Sequence, residues 1–426
     1  MIMKSQTLVL ITQNFPYLPG EHFLETELQF LAEKFERIYV SPVAYQKNNT
    51  IRSAPENVIV KALERQLSAS KCLTFIQRTL SVLGDPQGVR WLVSDWKEAT
   101  RFGLKGILKL INWVSMAVNI RKQLETEYVN GNPSLRSYVF YSYWLSPAAI
   151  ALAMLKEKKD NIIVVSRAHG GDLYAYRHTP AYMPLQPRVI SKLSKVYLIS
   201  EDGRNYLEKN YRDIQLSNLE VSRLGTLKPG QVNYEAGEEG LHLVTCSYML
   251  PVKRLSLLIE ALNHIKTPIK WTHIGDGPLK EELISLANKL PSHVQWDFIG
   301  NLTNKEVLKF YLEENVDLFI NVSESEGVPV SIMEAFSCGV PVIATNVGGT
   351  AELVNEKNGK LLNKDIAPIQ ITNAIEEFGA LMVENKLTKS SNAYNMWSTH
   401  YNAEKNYWEF AKHLYQLGEM NIYEVQ

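Results

Sequence analysis

Cysteine is scarce in this chain: Cys72, Cys246 and Cys338 are all there are in 426 residues. An odd number at such wide spacing excludes a disulfide framework and a clustered zinc site, and it fits a reducing compartment. No surplus of charge exists, because 45 Lys and Arg meet 45 Asp and Glu. That balance excludes a protein that holds nucleic acid over its whole surface. Long apolar runs of about twenty residues are missing, so no spanning helix is expected. No secretory leader is expected either, since one Lys precedes the strand-like Leu8-Val9-Leu10-Ile11 without an apolar core or cleavage site. Neither G-x-S-x-G nor the P-loop pattern occurs, which removes the serine-hydrolase and P-loop readings.

What is present is a globular composition, 45% hydrophobic and 21% charged, in a chain longer than one core usually serves. Two domains are therefore expected. In the N-terminal domain, 1–224, strand-like segments at 8–12, 37–42, 137–143, 162–166 and 195–200 alternate with amphipathic stretches such as 23–33. That alternation marks a doubly wound parallel α/β sheet. Between 62 and 130 the strands give way to long helical stretches, which read as an insertion. Residues 225–240 combine Gly225, Pro229 and Gly230 with an acidic run and form the expected linker. A second α/β unit, 241–395, carries strands at 241–246, 269–274, 294–299, 318–322 and 340–345. A final helical stretch rich in Tyr and Trp spans about 393–417.

Chemistry concentrates in the second half. Glu326-Gly327-Val328-Pro329-Val330-Ser331-Ile332-Met333-Glu334 sets two carboxylates across the start of a helix that Gly339-Val340-Pro341 stops. Backbone N–H groups at a helix N-terminus suit a diphosphate, and the flanking carboxylates suit ribose and sugar hydroxyls. Upstream, Ile274-Gly275-Asp276-Gly277-Pro278 follows a strand, and its glycines let backbone approach a nucleotide closely. No third glycine follows at the required place, so this is not the dinucleotide fingerprint. Lys253 and Arg254 precede the helix 255–262 and bring positive charge suited to a diphosphate leaving group.

Continued through Ala335-Phe336-Ser337-Cys338-Gly339-Val340-Pro341 and the Gly348-Gly349 loop, this stretch resembles the donor site of retaining GT-B glycosyltransferases. The family is family 4, the glycosyl transferases group 1, in its bacterial polysaccharide-assembly form. The resemblance is close over the C-terminal half, looser over the N-terminal half and weakest over the insertion. It implies two Rossmann-like domains facing across a cleft, acceptor mainly on the first and donor mainly on the second. The tail, 396–426, would cross back to pack on the first domain. The implied reaction moves a sugar from a nucleoside diphosphate sugar to a hydroxyl of a glycan or lipid-linked acceptor, with retention of anomeric configuration. Such an enzyme is of hexosyltransferase type and is expected to need neither metal nor cofactor. The chain has no metal-spaced His/Cys cluster and no Asp-x-Asp pair of the metal-using transferases.

On this pattern Glu326 is catalytic and Glu334 holds the donor's ribose. Gly275, Asp276, Gly277, Gly327, Val328, Val330 and Ser331 line the donor, and Lys253 neutralises the departing diphosphate. One departure matters: Tyr248 stands where the family has an Arg, and Arg254 is at hand either to replace it or to serve a salt bridge at its own helix end.

In the first half, Val164-Val165-Ser166-Arg167-Ala168-His169-Gly170-Gly171-Asp172 ends a strand in a polar loop, where α/β proteins bind ligands. Its His-Gly-x-Asp string resembles a segment in which the family's His faces the reacting sugar. His169 is therefore a catalytic candidate and Asp172 an acceptor-side one. Gly20 fits the family's acceptor-side loop after the first strand. Glu21 offers a carboxylate to an acceptor hydroxyl or to its own turn. Tyr143 offers a ring to a sugar face or to the core.

The insertion is basic: 61–130 holds eleven Lys and Arg against six Asp and Glu, a surplus of five. Within 101–122, Arg101, Lys105, Lys109, Arg121 and Lys122 alternate with Phe102, Leu104, Ile107, Leu108, Ile111, Trp113 and Met116. Such a segment suits either an anionic membrane surface or a solvated helix edge. The expected location is cytoplasmic, with peripheral docking on the inner face of the plasma membrane. Two other readings stay open, a GT-B-fold nucleotide-sugar epimerase and a non-catalytic glycan-assembly partner.

Overall fold

The computed structural model describes residues 6–18, 20–21, 23–44, 50–63, 71–214, 216–230 and 240–423, with 71–75, 78 and 423 as backbone alone. The chain divides into two compact units, residues 1–222 with 407–426, and residues 223–406.

The first unit is built on a parallel sheet of β1 (Thr7–Thr12), β2 (Arg37–Pro42), β3 (Val58–Val60), β4 (Tyr138–Ser142), β5 (Ile163–Ala168), β6 (Lys195–Leu198) and β7 (Leu219–Val221). Their order is β3-β2-β1-β4-β5-β6-β7. Successive side chains of β1 serve opposite faces, as strand geometry requires. Val9 and Ile11 join a core with the insertion and the helix Pro147–Lys158. Leu8 and Leu10 join another with the helix Phe23–Lys34 and residues 410–414. Both faces are covered, so the central strands read as unbroken apolar runs. The edge strands β3 and β7, three residues each, are too short to show a pattern and went unforeseen.

Between β3 and β4 the insertion forms helices Lys71–Leu83, Pro86–Ser94, Trp96–Arg101 and Gly103–Leu124, closed by a π-helical turn Glu125–Val129. One of its expected surface cations is not on the surface. Arg121 is 1% exposed, with Nη2 2.5 Å from Oδ2 of Asp85. Asp85 also caps the helix Pro86–Ser94 by accepting from the N–H of Gly88. The pair ties two insertion helices together.

The second unit repeats the plan with β8 (Leu241–Cys246), β9 (Ile269–Ile274), β10 (Val294–Gly300), β11 (Leu318–Asn321), β12 (Val342–Thr345) and β13 (Gly359–Leu362). The order is β10-β9-β8-β11-β12-β13. Gly359 and Lys360 interrupt β13's apolar character, which hid it from pattern reading. The expected tail helix is two helices, Val383–His400 and Ala403–Tyr423. At the break the chain pairs with the start of the expected linker. The N–H of Thr226 donates to Tyr401 at 3.0 Å, that of Ala403 to Thr226 at 3.0 Å, and Trp397 Nε1 to Thr226 Oγ1 at 2.9 Å. Residues 225 and 226 are thus buried and pinned, while 231–239 lie outside the described residues. From Tyr407 onward the last helix belongs to the first unit, where Phe410 packs edge-on to Tyr141 and Tyr197.

Each sheet reverses direction beside its first strand, between β1 and β4 and between β8 and β11. The loops after such strand pairs diverge and leave a crevice at the carboxyl ends. Among the described residues no helix is long and apolar enough to cross a membrane.

Candidate functional sites

In the second unit the loops after β8 and β11 bring two expected catalytic residues into contact. Nζ of Lys253, at the end of a short turn Pro251–Lys253, lies 2.6 Å from Oε1 of Glu326. Glu326 is buried, and Nδ2 of Asn321 stands 3.5 Å from the same oxygen. Eight residues on, Glu334 lies within the helix Val330–Ser337, 6% exposed, and accepts from Nδ2 of Asn304 at 2.7 Å. Burial pushes its carboxyl up to about 7, against the downward pull of Asn304. The helix starts at Pro329, which has no side chain to cap it. Ile332 and Met333 donate to the carbonyl of Pro329 at 3.2 and 3.4 Å, so the N–H groups of Val330 and Ser331 are the ones that lead the helix without an intrahelical acceptor, and they lie between the two glutamates in sequence.

Glycines fix the loops around these groups. Gly348 has φ +53°, and a Cβ there would come within 2.1 Å of the carbonyl oxygen of Glu326. Its neighbour Gly349 donates to the carbonyl of Gly327 at 2.7 Å, so this loop clamps the one carrying Glu326. At Gly275, φ +140°, a Cβ would meet the carbonyl oxygen of Ser247 at 2.0 Å. The end of β9 can therefore approach the loop after β8 only without a side chain. Asp276 serves its own turn, accepting from the N–H of Gly277 at 2.7 Å and from Lys280 at 3.1 Å.

Arg254 does not replace the missing family Arg. Its Nε donates to the carbonyl of Val322 at 2.6 Å, Nη2 to Ser323 at 3.2 Å and Nη1 to Lys364 at 2.9 Å. With three of its five N–H donors on backbone carbonyls it braces the end of β11, and Lys253 is the cation in contact with Glu326. Tyr248 is 55% exposed. Sequence reasoning passed over Asn304 and Asn321. The one local signal was the capping box of Thr303 and Glu306, which starts the helix Asn304–Glu313 and so fixes Asn304.

The first unit has a cavity of about 410 Å³ at its own switch point. The loop after β1 contributes Gln13, Asn14, Gly20 and Glu21, the loop after β4 Trp144 and Ser146, the loop after β5 Gly171, Asp172 and His178, and the insertion Trp113. Glu21 is committed locally. Its two oxygens accept from the N–H groups of Gln13, Asn14 and Phe15 and from Trp144 Nε1, at 2.6–2.8 Å. Asp172 likewise accepts from the N–H groups of His169 at 2.6 Å and Leu145 at 2.7 Å. Both carboxylates shape loops, which replaces the expectation that Glu21 has an oxygen to spare for a ligand.

Tyr143 is fully buried and does not line the cavity; Trp144 does. His169, 7% exposed, lies against both, ring centroids 4.7 Å from Tyr143 and 4.5 Å from Trp144. Among the described residues neither of its ring nitrogens has a hydrogen-bond partner, and Nδ1 is 3.7 Å from Oδ2 of Asp172. Behind this layer Arg167 and Glu27 form an ion pair of 2.5 Å with both side chains fully buried. Burial opposes the Arg167 charge, and Glu27 overcomes it, holding the guanidinium above its ordinary value. Neither residue stood out in the sequence, because their contact spans 140 positions.

Residues 234–392, in the second unit, match the family model described as glycosyl transferases group 1. An uncharacterized glycosyltransferase of Methanocaldococcus jannaschii is 27% identical over 264 residues, 61% of this chain and 68% of that one. An O-antigen biosynthesis glycosyltransferase of Escherichia coli is 36% identical over 110 residues, 26% of this chain and 30% of that protein. The chain thus spans about two thirds of the first relative and under a third of the second. Among solved structures, the Anabaena protein HepE in complex with UDP and glucose aligns with a TM-score of 0.63 and 16% identity, over 96% of this chain and 98% of that one. That likeness speaks for the fold, two parallel α/β sheets of the GT-B kind.

Proposed function

We propose that this chain is a retaining glycosyltransferase that takes a sugar from a nucleoside diphosphate sugar and transfers it to a hydroxyl of a glycan or lipid-linked acceptor in cell-surface polysaccharide assembly. The observation that carries the reading is the Lys253–Glu326 contact beside an uncapped helix N-terminus, with the buried Glu334 further along that helix. A diphosphate placed on those N–H groups gives its ribose hydroxyls to Glu334 and its sugar hydroxyls to Glu326. As the bond from the anomeric carbon to the diphosphate breaks, negative charge grows on the leaving oxygen. Lys253 and the helix N-terminus then stabilise it more than they stabilise the intact donor, which is what accelerates a reaction. The acceptor's hydroxyl oxygen forms the new bond at that carbon as the bond to the diphosphate breaks, and its proton passes to the departing diphosphate. On this reading no metal is required, since a cation and a helix end take up the charge.

The O-antigen relative and the fold of a protein that holds UDP and glucose support the donor class and the setting. We extend the proposal to peripheral docking on anionic membrane through the insertion. The test of the donor site is a thermal-shift and calorimetric screen against UDP, GDP, ADP and their sugars. One nucleotide series should raise the melting temperature, because a ligand that binds only the native state stabilises it. No shift from any of them would contradict the assignment.

A further inference from the structure

The cavity of the first unit has walls that select for one chemistry. Among the described residues its lining contains no Lys or Arg, and its two carboxylates are occupied by backbone and indole donors. The nearby cation Lys109 is 5.6 Å from the Trp113 ring, but its ammonium donates to the carbonyl of Tyr182 at 2.6 Å. The described lining thus offers no cationic side chain to a phosphate or a carboxylate. Two indoles from unrelated elements, Trp113 and Trp144, form walls. Such rings offer broad apolar faces with little conformational entropy to lose. A volume of about 410 Å³ lies in the range of small-molecule sites.

One polar side chain of the lining, His178, can accept from a hydroxyl. Nε2 of His178 lies 2.7 Å from the carbonyl oxygen of Gly171. A carbonyl only accepts, so the proton sits on Nε2 and Nδ1 is left as an acceptor. Burial, and then the charge of Lys109, push this imidazole below its ordinary value, which keeps it neutral near pH 7. Beside Trp144, the buried His169 leaves two ring nitrogens without partners among the described residues.

We propose that this cavity is a subsite for an uncharged sugar ring of the acceptor, held by its C–H faces on Trp113 and Trp144 and by a hydroxyl donating to His178. Trp113 comes from the insertion, so the insertion completes the acceptor site and sets its preference. The proposal rests on the glycosyltransferase reading for the identity of its ligand, but it is tested apart from it.

The experiment is saturation-transfer NMR on the full chain with a panel of neutral methyl glycosides (hexoses, 6-deoxyhexoses and N-acetylhexosamines), with glucose 6-phosphate and glucuronate as charged comparisons. At least one neutral glycoside should receive saturation and the charged sugars little. Trp113→Ala should weaken that binding about tenfold, roughly the stacking contribution of one aromatic ring, and Trp113→Phe should restore part of it. Nucleoside diphosphate affinity, measured by calorimetry on the same samples, should match wild type. Preferential binding of the charged sugars, silence across the neutral panel, or wild-type binding by Trp113→Ala would each overturn the proposal. Loss of nucleotide binding in the wild-type chain would instead overturn the donor-site reading.

Discussion

Glu334 and Lys253 are where the chemistry is most exposed to measurement. The Glu334 carboxyl stands at about 7 in the folded chain against an ordinary 4.5, with burial the main cause. Between those values the folded state binds more protons than the unfolded one. The group's stabilising contribution is therefore complete below about 4.5 and fades as pH rises toward about 7. Glu334→Gln has no such slope, so its melting temperature relative to wild type should climb between about pH 5 and about pH 8. A constant difference across that range would show that the carboxyl is not perturbed. In binding, Glu334→Ala should cost a nucleoside diphosphate about 1.5–3 kcal/mol, the scale of a hydrogen bond to a charged group. Equal affinity by calorimetry would remove Glu334 from the ribose. Lys253→Ala should lower turnover at saturating substrates about a hundredfold or more, the usual effect of deleting one donor to a developing oxyanion. Full turnover with only a raised donor requirement would make Lys253 a binding residue alone.

At the scale of elements, much of the fold was legible. β2, β8 and β9 run over the residues marked for them, because strands covered on both faces keep enough buried apolar residues to be read even with polar ones interspersed. The short edges β3 and β7 and the Gly-Lys start of β13 carry too little pattern to be read. The same division holds for the site. Glu326 and Glu334 are local to one loop and helix, and their spacing announces them. The bracing role of Arg254 is hidden from the sequence because its three carbonyl partners are 68 to 110 positions away. The glycine loops test the packing directly: Gly348→Ala forces a Cβ against the Glu326 carbonyl and should destabilise the chain by about 1–3 kcal/mol. Unchanged melting would mean that the loop moves freely. In the insertion, Arg121 is buried and Lys109 is tied to a carbonyl, so docking would fall chiefly to Lys105, to Arg101 beside Glu98, and to the exposed Leu104 and Leu108, with Lys122 held 3.7 Å from Asp85. The chain should sediment with anionic vesicles at low salt, release at high salt and ignore neutral ones, with roughly 1 kcal/mol from each basic residue near the surface. Replacing Arg101 and Lys105 by Glu should abolish this. A wild type that stays in the supernatant at low salt would make the insertion ordinary solvated surface.

For the whole molecule, the central claim is that a sugar leaves its nucleoside diphosphate and reaches an acceptor hydroxyl with its anomeric configuration kept. Once the screen has named the donor, the reaction can be followed by NMR with an acceptor glycan, watching free nucleoside diphosphate and the anomeric proton of the product together. Wild type is expected to release one nucleoside diphosphate per new glycosidic bond, with the donor's anomeric configuration in the product. Glu326→Ala should form no product while still binding the nucleoside diphosphate. Sugar nucleotide converted to an isomer without release of nucleoside diphosphate, an inverted product, or full transfer by Glu326→Ala would contradict the account.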